Sequence, residues 1–234
     1  MKQRSTRARA DDVRQRLRAA LLQGRYAPRQ RLIEAELAEE YAVSRFVIRN
    51  VLHQLEAESL VEVQPHRGAR VRELSLAEAL EITELRQSVE GLIAARAAER
   101  ISPAQIDGLQ RLGRAMADAV EGGELVRYSE SNAALHASLR EIAANATATA
   151  LLERLNAQMV RHQFMLSLIP GRPRVSLPEH LDIIVAVCAH EPAAAESAMR
   201  RHIGSVLRAI AESDAAGSRA PGMPGPAKGM AAAP

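Results

Sequence analysis

A chain of 234 residues with 47 % hydrophobic but only 2 % aromatic side chains and no Trp has material for one or two domains. It contains no run of about 18 apolar residues, and no apolar segment follows its basic start "MKQRSTRARADD", which argues against a membrane span or a secretory signal. The net charge of +3 is uneven: residues 1–72 hold 15 Lys/Arg against 9 Asp/Glu, and the remainder 16 against 19, so a basic module that binds a polyanion is expected ahead of a slightly acidic one. The alternative is a solvated arginine-rich surface. Ala, Leu, Glu and Arg dominate, favouring helices, and the lone Cys188 fits a reducing, cytoplasmic setting without membrane attachment.

Residues 1–10 read as a basic, disordered arm. Over 11–23, Val13, Leu17, Ala20 and Leu21 fall on one helical face, with Asp11 and Asp12 at the start and Gly24 at the stop. Pro28 marks a turn, and a short helix covers about 34–41. Ser44 is a good N-cap for a third helix through about Ala57, whose apolar side is Val47, Ile48, Val51, Leu52 and Leu55. In "LVEVQPHRGARV" the period changes to alternation around a "PHRG" turn, the pattern of a β-hairpin with a basic tip.

Six helices are expected after Ser75. "SLAE" is a capping box opening a helix to about Arg100, and "SPAQ" opens the next, ended by Gly122-Gly123. A third covers about 124–144 and a fourth about 147–168. The fifth opens with a second "SxxE" box, Ser176 and Glu179, and the sixth starts at Pro192 and reaches about Ser213. Residues 214–234, rich in Ala, Pro and Gly, read as a disordered tail.

Helix, helix, tight turn, helix and hairpin within about 60 basic residues is the order of a winged helix-turn-helix, here 11–73. Such a module places the N-terminus of its third helix in the major groove of double-stranded DNA. Ser44, Arg45, Phe46 and Arg49 would then face the bases and phosphates, with Arg bonding guanine bidentately. The hairpin tip, His66, Arg67 and Gly68, would lie along the backbone or minor groove. The fold class is mainly α: three helices plus a small β-hairpin, followed by an all-α six-helix bundle over 75–213.

The stretch "RLRAALLQGRYAPRQRLIEAELAEEYAVSRFVIRNVLHQLEAESLVEVQPHRGARV" resembles the DNA-binding domain of GntR-family bacterial transcription regulators. The family pattern has an LR-x-x-I-x-x-G helix, a Pro-Gly turn, an L-x-E-x-x-LA segment, an S-R-T-P-V-R-E-A-L recognition helix and an R-G-x-x-V wing. Ser44, Arg45 and Arg49 match it. Arg29 stands in place of the turn Gly, Phe46 and Val47 in place of Thr-Pro, Asn50 in place of Glu, and Ser59 in place of a Gly. Phe46 gives up a hydroxyl and offers an apolar surface to a thymine methyl instead.

The segments "ELRQSVEGLIAARAAE", "NAALH", "ANATATALLERL" and "PEHLDIIVAVCAHEPAAAESAMRRHI" resemble the FCD-type effector domain of the FadR-like subfamily. That resemblance implies a divalent metal held by Asn132, His136, His180 and His202, zinc first and nickel, manganese or iron as alternatives. It also implies a homodimer on a palindromic operator and a small carboxylate effector. The residues agree in part by themselves: Asn132 and His136 are four apart, so they share one helical face, and imidazole with an amide oxygen makes a mixed N/O donor set. Asn in place of the commoner Asp removes one negative charge. Arg86 is a candidate for the effector carboxylate, with a surface pair to Glu90 as the alternative. Arg161 and His162 are candidates for pocket lining, with solvent exposure as the alternative.

The expected function is a ligand-responsive transcription regulator, a repressor relieved by its effector. A regulator without metal, whose histidines bind an organic ligand directly, is the alternative. A metal-dependent hydrolase or isomerase fits poorly, because no carboxylate other than Glu179 is obviously placed as a general base and a DNA reader would serve no purpose.

Overall fold

The computed structural model describes residues 2–64, 67–167 and 171–217, with side chains described over 9–64, 67–159 and 171–212. Helix α1 (Lys2–Leu22) leads into a two-residue strand β1 (Arg31–Leu32), then α2 (Glu34–Glu40), α3 (Arg45–Ala57) and the strands β2 (Val61–Gln64) and β3 (Gly68–Val71). Helices α4 (Leu76–Arg100), α5 (Pro103–Glu121), α6 (Leu125–Ala143), α7 (Ala146–Ser167), α8 (Arg172–Cys188) and α9 (Pro192–Gly217) follow. No helix among the described residues is long and apolar enough to cross a membrane.

The N-terminal part is a winged helix-turn-helix. Its core joins Val13 and Leu17 of α1 to Leu37 of α2, to Ile48, Val51, Leu52 and Leu55 of α3, and to Val61 and Ala69 of the wing, each under 4 % exposed. Burying that many aliphatic side chains at roughly 1.5–3 kcal/mol each is what holds so short a module together. The Ser44 hydroxyl caps α3 by accepting from Val47 N at 3.4 Å. Arg14 and Arg18 of α1 both grip Glu58 just past the end of α3, at 3.1 and 2.6 Å.

Four features differ from the sequence reading. The hairpin is widened to a three-stranded antiparallel sheet, order β1-β3-β2, because Leu32 pairs with Ala69 and drops into the core. Two residues are too few to show alternation. Residues 2–10, expected as an irregular arm, continue α1: they hold no Pro or Gly to stop the helix. Helix α8 begins at Arg172, not Ser176, and Pro178 lies inside it. Ser176 is therefore no N-cap; its hydroxyl donates back to Arg172 O at 3.1 Å. Of the expected tail, 214–217 belong to α9 and the rest lies outside the described residues.

Gly68 has φ +83°, and a Cβ there would lie 2.5 Å from Leu32 O, so the wing admits no side chain where β1 crosses it. In the helical part, α4 packs against α6 and α9, and α8 against α5 and α9. At Gly91 a Cβ would come within 2.9 Å of Arg200 Cγ, so the glycine lets α4 and α9 close up. The core is Leu, Ile, Met and Ala, among them Leu109, Met116, Leu135, Leu139, Leu152 and Ile183, all at 0–1 % exposure. This packing fixes the relative positions of α4, α6, α8 and α9, which carry the polar groups described next.

Candidate metal centre and nucleic-acid interface

His136 comes from α6, His180 from α8 and His202 from α9, and their ligand atoms lie within 4.8 Å of one another. The ring centroids are 5.7 Å apart for His136–His180, 5.6 Å for His136–His202 and 4.2 Å for His180–His202. All three are largely buried. Three imidazoles gathered in an otherwise aliphatic bundle need a chemical reason.

The hydrogen bonds around them supply it. Nδ1 of His136 meets Glu90 Oε2 at 2.9 Å, and Nδ1 of His202 meets Glu179 Oε2 at 2.9 Å. A carboxylate only accepts, so each Nδ1 carries the proton. Nδ1 of His180 lies 3.1 Å from the Tyr128 hydroxyl, which lies 2.6 Å from Ser176 Oγ, which in turn donates to Arg172 O. Following the donors back along that chain, Tyr128 donates to Ser176 and receives from His180. Every Nδ1 is thus occupied as a donor, which leaves Nε2 as the ring nitrogen available to a ligand at the centre. Outer partners of this kind orient metal-binding histidines and raise their basicity.

Burial shapes the charges. It pushes the His180 imidazole far below its ordinary pKa, with His202 and His136 adding to the effect, and it lowers His202 despite the bonds from Glu179. Both are therefore neutral and able to ligate at neutral pH. Burial opposes the charge on Glu90, but Arg86 and His136 overcome it and hold the carboxyl well below the usual range. Glu179 is lowered in the same way, against its own burial, by His202, Ser205 and Arg172.

The histidines open onto a cavity of about 480 Å³ lined also by Asn132, Arg86, Glu90, Tyr128, Arg140 and Arg172. Asn132 Oδ1 and His180 Nε2 are buried without a hydrogen-bond partner among the described residues. Three imidazole nitrogens and one amide oxygen are a donor set suited to zinc or a neighbouring divalent ion, with coordination positions left for a further ligand. The residues present fit the metal that the resemblance implied. A broader groove of about 780 Å³ lies beyond Glu179, but its Arg200 and Arg201 face Glu196 and Asp182 at 3.8 and 3.7 Å, and no donor set converges there among the described residues.

Arg86 lines the cavity and is not on the surface. It forks onto Glu90 through Nε at 3.0 Å and Nη2 at 2.7 Å, so cavity lining and the i,i+4 pair both hold. The side chains of Arg161 and His162 lie outside the described residues. Tyr128, Arg140 and Arg172 were not singled out from the sequence. Glu90 sat in view as the partner of Arg86 and Glu179 as the neighbour of His180, whereas Arg172 follows a Gly in a turn and carries no sequence signal.

At the other end, α3 presents Ser44, Arg45, Phe46 and Arg49 outward, with Phe46 69 % exposed. Arg49 forks onto Glu34 of α2 at 2.9 and 2.8 Å, and those bonds hold the Glu34 carboxyl below its usual range. Arg67 and Gly68 lie on the wing, Arg67 O accepting from Arg31 Nε at 3.1 Å; His66 lies outside the described residues. Arg31 and Arg70, both exposed, stand opposite each other across β1 and β3. Glu62 of β2 stands opposite Arg70 on its other side, so Arg70 lies between a cation and a carboxylate, and the Arg31–Arg70 repulsion is eased further by an anion over the sheet.

Comparison with known proteins gives the same division. The family model for bacterial regulatory proteins of the gntR family matches residues 9–71, and that for the FCD domain matches residues 81–205. The HTH-type transcriptional repressor RspR of Escherichia coli is 29 % identical over 79 % of this chain and 81 % of its own length. The HTH-type transcriptional regulator BphR of Paraburkholderia xenovorans is 30 % identical over 84 % of this chain and 82 % of its own. The structure of E. coli McbR/YncC superposes with a TM-score of 0.71 at 20 % identity, covering 88 % of this chain and 98 % of that one, a likeness of fold.

Proposed function

The chain belongs to the gntR family of bacterial regulatory proteins and carries an FCD domain, and from that premise we propose that this transcriptional regulator, which is not an enzyme, answers to a small carboxylate bound beside a divalent metal. His136, His180, His202 and Asn132 hold the metal, zinc first among the candidates. When bound, the metal supplies a Lewis-acid anchor for the carboxylate. The observation that supports this reading is the gathering of three histidines whose ligand atoms lie within 4.8 Å of one another, each with its Nδ1 engaged by an outer partner.

Two copies of the chain read a palindromic operator as a homodimer, since two-fold symmetry doubles the contact and sets the half-site spacing. Ser44, Arg45, Phe46 and Arg49 enter the major groove, and His66, Arg67 and Gly68 follow the backbone. The like-charge pair Arg31 and Arg70 fits a phosphate lying over the sheet. Arg49 exchanges its carboxylate partner Glu34 for DNA.

One turn of α7 joins the two ends. Asn156 lines the cavity, Ala157 is 8 % exposed within the core of the winged part, and Gln158 Oε1 accepts from Arg72 Nη1 at 3.3 Å. Arg72 follows β3 directly and also pairs with Glu78 at the start of α4. A bound acid that shifts this turn changes how the winged part is held, which lowers operator affinity and makes the protein a repressor relieved by its ligand.

The test is an operator gel shift combined with metal analysis. The purified protein should hold about one divalent ion per chain and lose operator affinity on adding the cognate acid. His136→Ala should lose both metal and acid response while binding the operator nearly as well. Failure to take up zinc, nickel or manganese would defeat the metal, leaving histidines that bond an organic ligand directly.

A further inference from the structure

Four side-chain atoms are buried without a hydrogen-bond partner among the described residues: Asn132 Oδ1, His180 Nε2, Arg86 Nη1 and Arg172 Nη2. All four residues line the same cavity. The first two are electron-pair donors that the proposed metal accounts for. The other two are N–H groups on permanent cations, and a metal has no use for them. A buried charged donor without an acceptor is among the costlier features a fold can keep.

Arg172 is the more telling of the pair. Nη1 is bound to Ser205 Oγ at 2.9 Å, which fixes the plane of the guanidinium. Nη2 lies 3.9 Å from Glu179 Oε2, outside hydrogen-bond range, and that oxygen is already held by His202 Nδ1 at 2.9 Å. Glu179 thus serves the histidine and leaves Arg172 Nη2 unanswered. Arg172 is also the first residue of the 17-residue helix α8, where the helix's own partial positive charge favours an anion. On the other flank Arg86 gives Nε and Nη2 to Glu90 and keeps Nη1 free of protein partners.

The cavity's charges agree. Three arginines, Arg86, Arg140 and Arg172, face one carboxylate, Glu90, and Asn132 stands where Asp would have added a second. Even with Glu179 counted beside Arg172, arginines outnumber carboxylates around the cavity by three to two. A monocarboxylate anchored at the histidine centre leaves Arg172 Nη2 and Arg86 Nη1 without an acceptor.

Building on the proposed function, we infer that the effector is a small acid with two anionic groups: one carboxylate sits at the histidine centre, and a second anionic group, carboxylate or phosphate, is held by Arg172 with Arg86 in support. The class is a short hydroxy-diacid or a phosphorylated hydroxy acid. Arg172 then sets specificity, because an Arg-to-anion bond in a dry site is both strong and directional.

Matched pairs of probes test this by calorimetry on the zinc-loaded full chain. Malate differs from lactate by one carboxylate, and phosphoglycolate from glycolate by one phosphate. The diacid or the phosphate ester should bind roughly ten to a hundredfold more tightly than its monoanionic partner. Whichever pair shows the larger gap names the second group. Arg172→Gln should erase the gap between the two members of each pair. Equal affinities within both pairs in the wild-type protein overturn the inference, as does an Arg172→Gln protein that loses lactate and malate binding alike. Should no acid bind zinc-loaded protein, the carboxylate reading of the site itself fails and takes this one with it.

Discussion

The winged part and the helical part carry their polar groups in opposite ways. Arg45, Phe46 and Arg49 of α3 and Arg67 and Arg70 of the wing stand on the outside, over a largely aliphatic core that also takes in Tyr41. His136, His180, His202, Glu90 and Glu179 come from four helices and are joined into one buried network. The outer groups meet a rigid, repeating polyanion, so each can contribute alone and be screened by salt. The inner groups need each other: a buried carboxylate without Arg86, or an imidazole without its acceptor, would pay a desolvation cost that nothing returns. Single changes should therefore act gradually in the winged part and abruptly in the helical part.

Glu90→Ala presses that contrast hardest. It strips Arg86 of its carboxylate and His136 of its Nδ1 acceptor in one step, at a residue 4 % exposed. Removing one partner of a buried pair costs roughly 3–5 kcal/mol, and urea titration should read a loss of that size. The double variant Arg86→Met/Glu90→Leu should recover most of it, while zinc affinity stays weak because His136 is no longer oriented. Equal stability of Glu90→Ala and wild type would mean that the network is not the support described.

Arg70→Ala is the outer counterpart. It removes one exposed cation from the β1–β3 face and no partner from the core. The slope of log operator affinity against log salt should become shallower by about 0.9, with urea stability and zinc content unchanged. An unchanged slope would take Arg70 off the DNA-facing surface.

The two parts were also unequally legible in the sequence. Helical periodicity and the Ser44 cap locate α1 and α3, since the aliphatic stripe and the capping hydroxyl act within one turn. Arg29 and Ser59, read as substitutes for family glycines, stand at φ 62° and 58°, so the positions need left-handed backbone even without Gly. In the helical part, spacing and resemblance led to the histidines, but not to what holds them. Tyr128 is 52 residues from His180, and Glu90 is 46 from His136; only the packing of α4, α6 and α8 brings them together. Ser176 misled because S-x-x-E ahead of an apolar run is the usual mark of a helix start, whereas here the hydroxyl is used inside the helix to hold Tyr128. Local rules cannot register a demand that comes from another element.

The smallest expected effect lies where the contrast breaks down, in the turn of α7 that touches both parts. Gln158 is half-buried, its Oε1 accepting from Arg72 Nη1 and its Nε2 donating to Arg154 O, both at 3.3 Å, and neither partner is fully buried. Gln158→Ala should cost stability by less than about 1 kcal/mol, the net worth of one ordinary hydrogen bond. Operator affinity without ligand and zinc content should both stay at wild-type values. What should change is the link between them: the fold-change in operator affinity caused by a saturating acid should shrink by roughly threefold, about 0.7 kcal/mol of coupling. Gel shifts with and without the acid measure that ratio. A variant that keeps the full response would place the coupling elsewhere, with Ala157 in the winged core as the remaining contact from this turn. A variant that loses operator binding outright would make Gln158 a structural brace, and the winged part would then depend on α7 for its shape as well as for its signal.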